Sequence, residues 1–221
     1  MDICIDETKG IECYVDTNFC GNYHKDRTED STPLLSRTWF VTFYMNYPVI
    51  WILKLQECIS QSTIEVEYVA LSHSIKELIK FTGLAEELNV IFDTDKIKPK
   101  VKCRLFEDNN GALELAKTPK YRPHAKHIAL KYHHFRNFVK EGRVEILPID
   151  TTEQIVDIST KPLNATISKK LRASLLGWSD SDKYKSERDV DIFISHMLIS
   201  NTDQPNVDLW NISEYEIYRN N

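Results

Sequence analysis

Four acidic residues stand where the local structure expected from the sequence gives a charge no obvious role. Asp16 lies inside an alternating stretch typical of a β-strand, where aspartate is depleted. Asp108 follows another extended stretch and precedes a helix, the position at which α/β folds place their chemistry. Glu67 falls on the inward side of a long predicted helix, and Asp157 falls in the helix after the last predicted strand.

Carboxylate oxygens are the ligands that Mg²⁺ and Mn²⁺ prefer in proteins. Two such ions ~4 Å apart can activate a water and stabilise the leaving oxygen of an in-line attack on a phosphodiester. If the first and fourth strands are neighbours, Asp16 and Asp108 lie side by side, and four carboxylates at one place would repel one another unless cations separate them. The alternative is that each acid caps a helix or is simply solvated.

The helix that carries Glu67 is predicted over residues 63–89. Its apolar residues recur every three or four positions and form one stripe, namely Ile64, Tyr68, Leu71, Ile75, Leu78, Ala85 and Leu88. At ~100° per residue, Glu67 lies within about 60° of the stripe's centre, whereas Glu65 lies well outside it. We therefore expect Glu67 to face the protein and Glu65 to face water, with Ser62 or Thr63 as the N-cap. The alternative is a glutamate that only favours the helix dipole.

The remaining elements give the order βββ-α-β-α-α-β-α. Strands are predicted over residues 11–20, 37–45, 48–55, 101–106 and 144–149, and further helices over 111–117, 126–141 and 151–162. A turn at Asn46-Tyr47-Pro48 joins the second and third strands, and Thr151 to Gln154 forms a capping box. Three meandering strands followed by βα units indicate an α/β fold, a mixed sheet with helices on its faces.

Composition excludes several classes of protein. The 221 residues are 42% hydrophobic and 10% aromatic, values typical of a globular domain. The five cysteines are odd in number and form no CxxC pair, which argues for buried thiols in a reducing compartment. No apolar run approaches the ~20 residues of a membrane span, and no secretory signal is apparent. We expect an intracellular protein, cytoplasmic or nuclear, with no membrane association.

Six ordered blocks of sequence carry a resemblance to a known family. The most specific is Glu107-Asp108-Asn109-Asn110-Gly111-Ala112-Leu113-Glu114-Leu115-Ala116-Lys117. The others fall at residues 14–22, 35–56, 62–72, 126–136 and 153–163, with a further short match at 171–178. Over residues 11–178 the chain resembles the ribonuclease H domain at the C-terminus of copia-type retrotransposon Pol polyproteins.

The resemblance implies a ribonuclease H-like fold, with a five-stranded mixed sheet in the order 3-2-1-4-5 and helices on both faces. It implies two-metal hydrolysis of the RNA strand of RNA–DNA hybrids, with Mg²⁺ or Mn²⁺ as cofactor. Asp16, Glu67, Asp108 and Asp157 would be both the catalytic residues and the metal ligands. A reverse transcriptase domain, absent from this chain, would be a partner.

Two alternatives to an active ribonuclease H stay open. One is a degenerate, transposon-derived domain that folds and binds nucleic acid, or nothing, without catalysis. The other is a transposase or integrase core, which shares the sheet but needs no glutamate in the helix after strand three, so Glu67 argues against it.

A basic segment precedes and enters the 126–141 helix. Together with the resemblance, it suggests that phosphates of a hybrid are bound by Lys120, Arg122, Lys126, His127, Lys131 and His134. The alternative is an ordinary solvated helix face with histidines at its edge.

We divide the chain into a lead-in (1–10), a ribonuclease H-like domain (11–163), a family extension (164–178) and an acidic tail (179–221) that is poorly ordered or loosely docked. The tail holds nine acidic and four basic residues, and this excess of five negative charges equals the formal charge of −5 of the whole chain. Five positions depart from the family pattern, namely Asn18, Trp39, Tyr47, Val156 and Ser159. Trp39, where the family usually has glycine, should require the most repacking.

Overall fold

The computed structural model describes residues 9–19, 35–91, 103–117, 133–160 and 163–175. The strands are β1 (Ile11–Asn18), β2 (Arg37–Tyr44), β3 (Tyr47–Leu55), β4 (Cys103–Glu107) and β5 (Val144–Pro148). The helices are α1 (Thr63–Ile91), α2 (Asn110–Lys117), α3 (Arg136–Lys140), α4 (Asp157–Thr160) and α5 (Ala165–Leu175). Short 3₁₀ turns cover His133–Phe135 and Thr151–Glu153.

The five strands form one mixed sheet in the order β3-β2-β1-β4-β5. β1 pairs antiparallel with β2, and β2 with β3, whereas β4 runs parallel to both β1 and β5. The carboxyl ends of β1, β4 and β5 therefore lie at the same edge of the sheet. The predicted α/β fold class, strand order and ribonuclease H-like architecture are confirmed.

Two apolar clusters cover the two faces of the sheet. Side chains alternate along β1, so Cys13 and Val15 belong to the cluster under α1 and α2. Tyr14 packs with the opposite cluster, which is completed by residues 155–158 and α5. Asp16 shares the face of Tyr14 and lies opposite Trp39 on β2. The sheet is thus buried on both sides.

The hairpin turn between β2 and β3 differs from the prediction. Its two central residues are Met45 and Asn46, both at positive φ (51° and 71°), the geometry that lets a two-residue turn follow the twist of its strands. Tyr47 and Pro48 belong to β3, and Tyr47 pairs with Tyr44. The predicted turn at Asn46-Tyr47-Pro48 is thus displaced by one residue, because Asn46 is a central turn residue whereas Tyr47 already belongs to the strand. Pro48 lies in β3, within the strand predicted over 48–55, and β3 is an edge strand, where proline is tolerated.

The start of α1 confirms the predicted cap and changes the role of Glu65. Ser62 Oγ accepts a hydrogen bond from the Glu65 N–H (3.2 Å), and Glu65 Oε2 accepts one from the Gln61 N–H (2.8 Å). Glu65 is therefore not merely a solvated neighbour, because its carboxylate closes the cap.

The middle of the α1 stripe is buried as predicted, but Ile64 and Leu88 are exposed. Gly111 lies so close to Ile64 that a Cβ added there would stand 2.8 Å from the isoleucine side chain. The glycine thus lets the start of α2 approach α1.

Three other predictions differ in detail. Of the helix predicted over 126–141, the described part is a 3₁₀ turn followed by α3, and residues 126–132 lie outside the described ranges. The capping box at Thr151–Gln154 is wrong, because Asp150 caps a 3₁₀ turn by accepting from the Thr152 N–H (2.8 Å). α4 begins separately at Asp157. The acidic tail also lies outside the described residues.

Cys13 and Cys103 are buried free thiols, as expected, but Cys58 is exposed. None of the helices in the described ranges combines the length and apolar character that crossing a bilayer requires.

Trp39, the departure expected to disturb packing most, is only 2% exposed within the cluster on the Asp16 face. Replacing it with alanine should cost about 3–5 kcal/mol of unfolding free energy, because truncating a buried tryptophan leaves a cavity. Urea unfolding followed by far-UV circular dichroism measures the loss, and Trp39→Phe should lose less. A Trp39→Ala loss below about 1 kcal/mol, the range of surface substitutions, would contradict this packing.

Candidate metal centre

Three aspartates meet at the carboxyl edge of the sheet. Asp16 comes from the second half of β1, Asp108 directly follows β4, and Asp157 is the first residue of α4. One carboxylate oxygen from each lies within 4.8 Å of the other two. Asp16 and Asp157 are buried and Asp108 is half-buried. We call these residues the aspartate triad.

The aspartate triad has the donors and the dimensions for a small divalent cation. Trans ligands of an octahedral Mg²⁺ at about 2.1 Å lie about 4.2 Å apart, and cis ligands about 3.0 Å apart. Oxygens within 4.8 Å of one another would need to contract by only about 0.6 Å at the widest pair to share an ion. The all-oxygen set favours Mg²⁺ or Mn²⁺ over metals that prefer nitrogen or sulfur.

Glu67 lies outside this group of three. It is buried on α1, which packs on the opposite face of the sheet from α4. Its inward orientation was predicted correctly, and its role as a metal ligand stays a prediction.

Glu107 is a fifth carboxylate of this edge, and the sequence analysis missed it as a site residue. Alternation along β4 places it on the same face as Cys103 and Leu105, towards α1, whereas Asp108 joins the aspartate triad. The side chain is 0% exposed. The signal was present, since a glutamate in phase with two buried apolar residues of a strand is itself expected to be buried.

Burial raises the pKa of Glu107 well above its usual value. The negative charge of Glu67 raises this pKa further, and the charges of Asp108 and Asp16 add smaller increases. Opposing them, the Asn109 N–H donates a 2.9 Å hydrogen bond to Glu107 Oε1. The edge therefore holds the aspartate triad on one side and two coupled glutamates on the other.

Residues 149–157 cross this edge from β5 to β1. The Ile149 N–H donates to the Glu107 carbonyl (3.1 Å), and Thr151 Oγ1 donates to Asp108 Oδ2 (3.4 Å). Further on, Gln154 Nε2 donates to the Val15 carbonyl (2.9 Å). The crossing chain thus touches the backbone or side chain of each strand that supplies a carboxylate.

Relatives of the chain are found among polyproteins of mobile elements. It is 29% identical over 157 residues to the retrovirus-related Pol polyprotein from transposon RE2 of Arabidopsis thaliana, and 28% over 159 residues to that from transposon RE1 of the same plant. These alignments cover 71% and 72% of the chain. The Pol polyprotein from transposon TNT 1-94 of Nicotiana tabacum is 31% identical over 126 residues, 57% of the chain.

The chain is homologous to a segment of transposon Pol polyproteins. It spans about a tenth of the length of the curated relatives it matches. No protein-family model matches the sequence. No solved structure gives a significant match.

Of the six residues predicted to bind nucleic acid, only His134 falls within the described ranges. Lys120, Arg122, Lys126, His127 and Lys131 lie outside them. His134 is exposed, with its ring edge-on to Phe135. Partial burial, and then the nearby Lys76 ammonium, lower the pKa of His134, so at neutral pH it supplies a neutral imidazole instead of a positive charge.

Because the pKa of Glu107 is raised in the fold, we expect the stability of the metal-free protein to depend on pH. The folded chain holds the Glu107 proton more tightly than the unfolded chain, so stability falls as pH rises from the unfolded pKa towards the folded one. Glu107→Gln keeps an acceptor for Asn109 and removes the charge. In EDTA it should melt at a higher temperature than wild type at pH 7.5, with the difference vanishing below about pH 4.

Glu145→Gln, on an exposed position of β5, is the matched control and should change the melting temperature little. A Glu107→Gln protein that is less stable than wild type at pH 7.5 would show that the carboxylate form is favoured in the fold.

Proposed function

We propose that this chain is a metal-dependent endonuclease that hydrolyses the RNA strand of RNA–DNA hybrids during reverse transcription of a retrotransposon. The observation that carries the proposal is the aspartate triad at the carboxyl edge of a sheet ordered 3-2-1-4-5. Three carboxylates from distant parts of the chain repel one another, and a fold that nevertheless brings them together is well suited to holding a cation there.

The relatives support a role for the chain in a retrotransposon. Pol polyproteins of retrovirus-related transposons are the proteins to which this segment is homologous. A reverse transcriptase domain is accordingly the proposed partner, and an RNA–DNA hybrid the proposed substrate. The basic residues Lys120, Arg122, Lys126 and Lys131 are proposed to meet its phosphates, with His127 and His134 as hydrogen-bonding neighbours.

Each carboxylate has a distinct part in the proposed chemistry. Asp16 and Asp157 are buried, so their oxygens are held in place and shielded from bulk water. Asp108 is half-buried and receives the Thr151 hydroxyl, which orients one of its oxygens. Glu67 is proposed as the fourth ligand, approaching from the α1 side. Bound divalent ions would activate a water and stabilise the charge that develops on the phosphodiester.

The test is cleavage of a labelled RNA–DNA hybrid in the presence of Mg²⁺ or Mn²⁺. Asp108→Asn should lower the rate at least about 10²-fold, because loss of a ligand removes several kcal/mol of charge stabilisation in the transition state. Glu145→Gln, an exposed carboxylate of β5, should cleave like wild type. Duplex DNA of the same sequence should remain intact, and EDTA should abolish the reaction.

Equal cleavage by wild type and Asp108→Asn would assign the activity to a contaminant and contradict the proposal. The assay is repeated with a reverse transcriptase supplied, since isolated domains can bind hybrid weakly. Binding of Mn²⁺ without cleavage under either condition would favour the alternative, a degenerate domain that keeps the metal centre but has lost its activity.

A further inference from the structure

The aspartate triad has two buried members that come from opposite ends of the described chain. Asp16 belongs to β1, and Asp157 begins a helix of only four residues. Such a short helix has little stability of its own, so contacts outside it must set its position. Gln154 makes two such contacts, one to β1 and one to the first residue of this helix.

Gln154 is 0% exposed, and its side chain reaches across to β1. Its Nε2 donates to the Val15 carbonyl at 2.9 Å, although the two residues are 139 positions apart in sequence. The ladder between β1 and β4 ends at Tyr14, so Val15 lies just beyond the last paired residue of that ladder. The amide thus adds a hydrogen bond to β1 just beyond the end of that ladder.

The main chain of Gln154 makes the second contact. Its carbonyl accepts a 3.1 Å hydrogen bond from the N–H of Asp157. One residue therefore holds the backbone immediately before Asp16 and the backbone of Asp157 itself. A displacement of Gln154 would move the two carboxylates relative to each other.

We propose that Gln154 is a positioning residue of the metal centre, one that sets the separation of Asp16 and Asp157 through its side-chain and main-chain hydrogen bonds. This inference rests on the proposed function, because it concerns the same aspartate triad. Groups that orient metal ligands typically change metal affinity 10–100-fold when they are lost. A residue that served only to fill the core would change stability and leave metal affinity unaltered.

The chain provides an internal control in Thr82 on α1. This threonine is also buried (5% exposed), and its Oγ1 donates to the Leu78 carbonyl at 2.8 Å. The same atom lies 3.0 Å from Cys103 Sγ. Cys103 is the first residue of β4, so Thr82 makes buried polar contacts at the end of that strand opposite to Asp108 and contacts no proposed ligand.

The experiment measures Mn²⁺ binding to the full chain by electron paramagnetic resonance, together with thermal unfolding in EDTA. Gln154→Met and Thr82→Ala both remove a buried hydrogen-bonding group, and both should lower the melting temperature. Only Gln154→Met should weaken Mn²⁺ binding, by about 10–100-fold. On hybrid substrate at fixed metal, its kcat should fall while KM for the hybrid stays close to wild type.

Mn²⁺ affinity of Gln154→Met within twofold of wild type would overturn the inference and leave the proposed function standing. An equal loss of affinity in Thr82→Ala would also overturn it, because the effect would then follow from a general loss of stability. If Gln154→Met does not fold, Gln154→Asn takes its place, since it keeps a buried amide that is one methylene too short to reach Val15. Failure of the wild-type chain to bind Mn²⁺ would overturn the proposed function and this inference with it.

Discussion

The structure depends on one constraint, which is the repulsion among carboxylates that the fold gathers at one edge of its sheet. Asp16, Asp108 and Asp157 lie within 4.8 Å of one another, and Glu107 and Glu67 lie behind them. Like charges at this distance repel one another and oppose folding, so other interactions must hold the groups together. Those interactions are strand pairing, burial on both faces of the sheet and the chain that crosses the edge. Divalent cations would convert the repulsion into attraction, which makes metal binding and folding thermodynamically linked.

Strand alternation explains how five carboxylates are tolerated. Consecutive residues of a strand face opposite sides, so Glu107 and Asp108 cannot both enter the aspartate triad. The sheet separates the glutamates from the aspartates, and burial raises the pKa of Glu107, which opposes a further negative charge at this edge. Glu107 Oε1 also accepts a hydrogen bond from the Asn109 N–H, at the turn that presents Asp108. We therefore interpret Glu107 as a residue that helps to position the proposed ligand Asp108, and not as a further metal ligand.

Local patterns pointed to the three aspartates, because Asp16 interrupts a strand pattern, Asp108 stands between a strand and a helix, and Asp157 lies in the helix after the last strand. The strand order followed from the order of the elements together with the family resemblance. They did not predict Gln154, whose partner Val15 is 139 residues away and whose position in a capping-box pattern offered a local explanation. Periodicity placed Glu65 outside the apolar stripe, but it did not predict that the Glu65 carboxylate accepts a hydrogen bond from the Gln61 N–H at the helix start. Periodicity predicts which side of an element is buried, but a hydrogen bond between elements depends on register and distance in space.

Two of the five positions that depart from the family pattern lie in one apolar cluster on the Asp16 face, namely Trp39 and Val156. The family that the sequence resembles usually has glycine and alanine at these positions, and both residues of this chain are larger. Two larger side chains in one cluster require the shared core to repack, and cores tolerate such changes when neighbouring elements adjust together. Val156 directly precedes Asp157, and Trp39 pairs with Asp16, so this repacked core is also the surface against which two buried ligands are set. Relative to the family pattern, the packing beside the aspartate triad differs, whereas every proposed carboxylate ligand is present. We therefore expect these substitutions to change the positions of the ligands and not their identity.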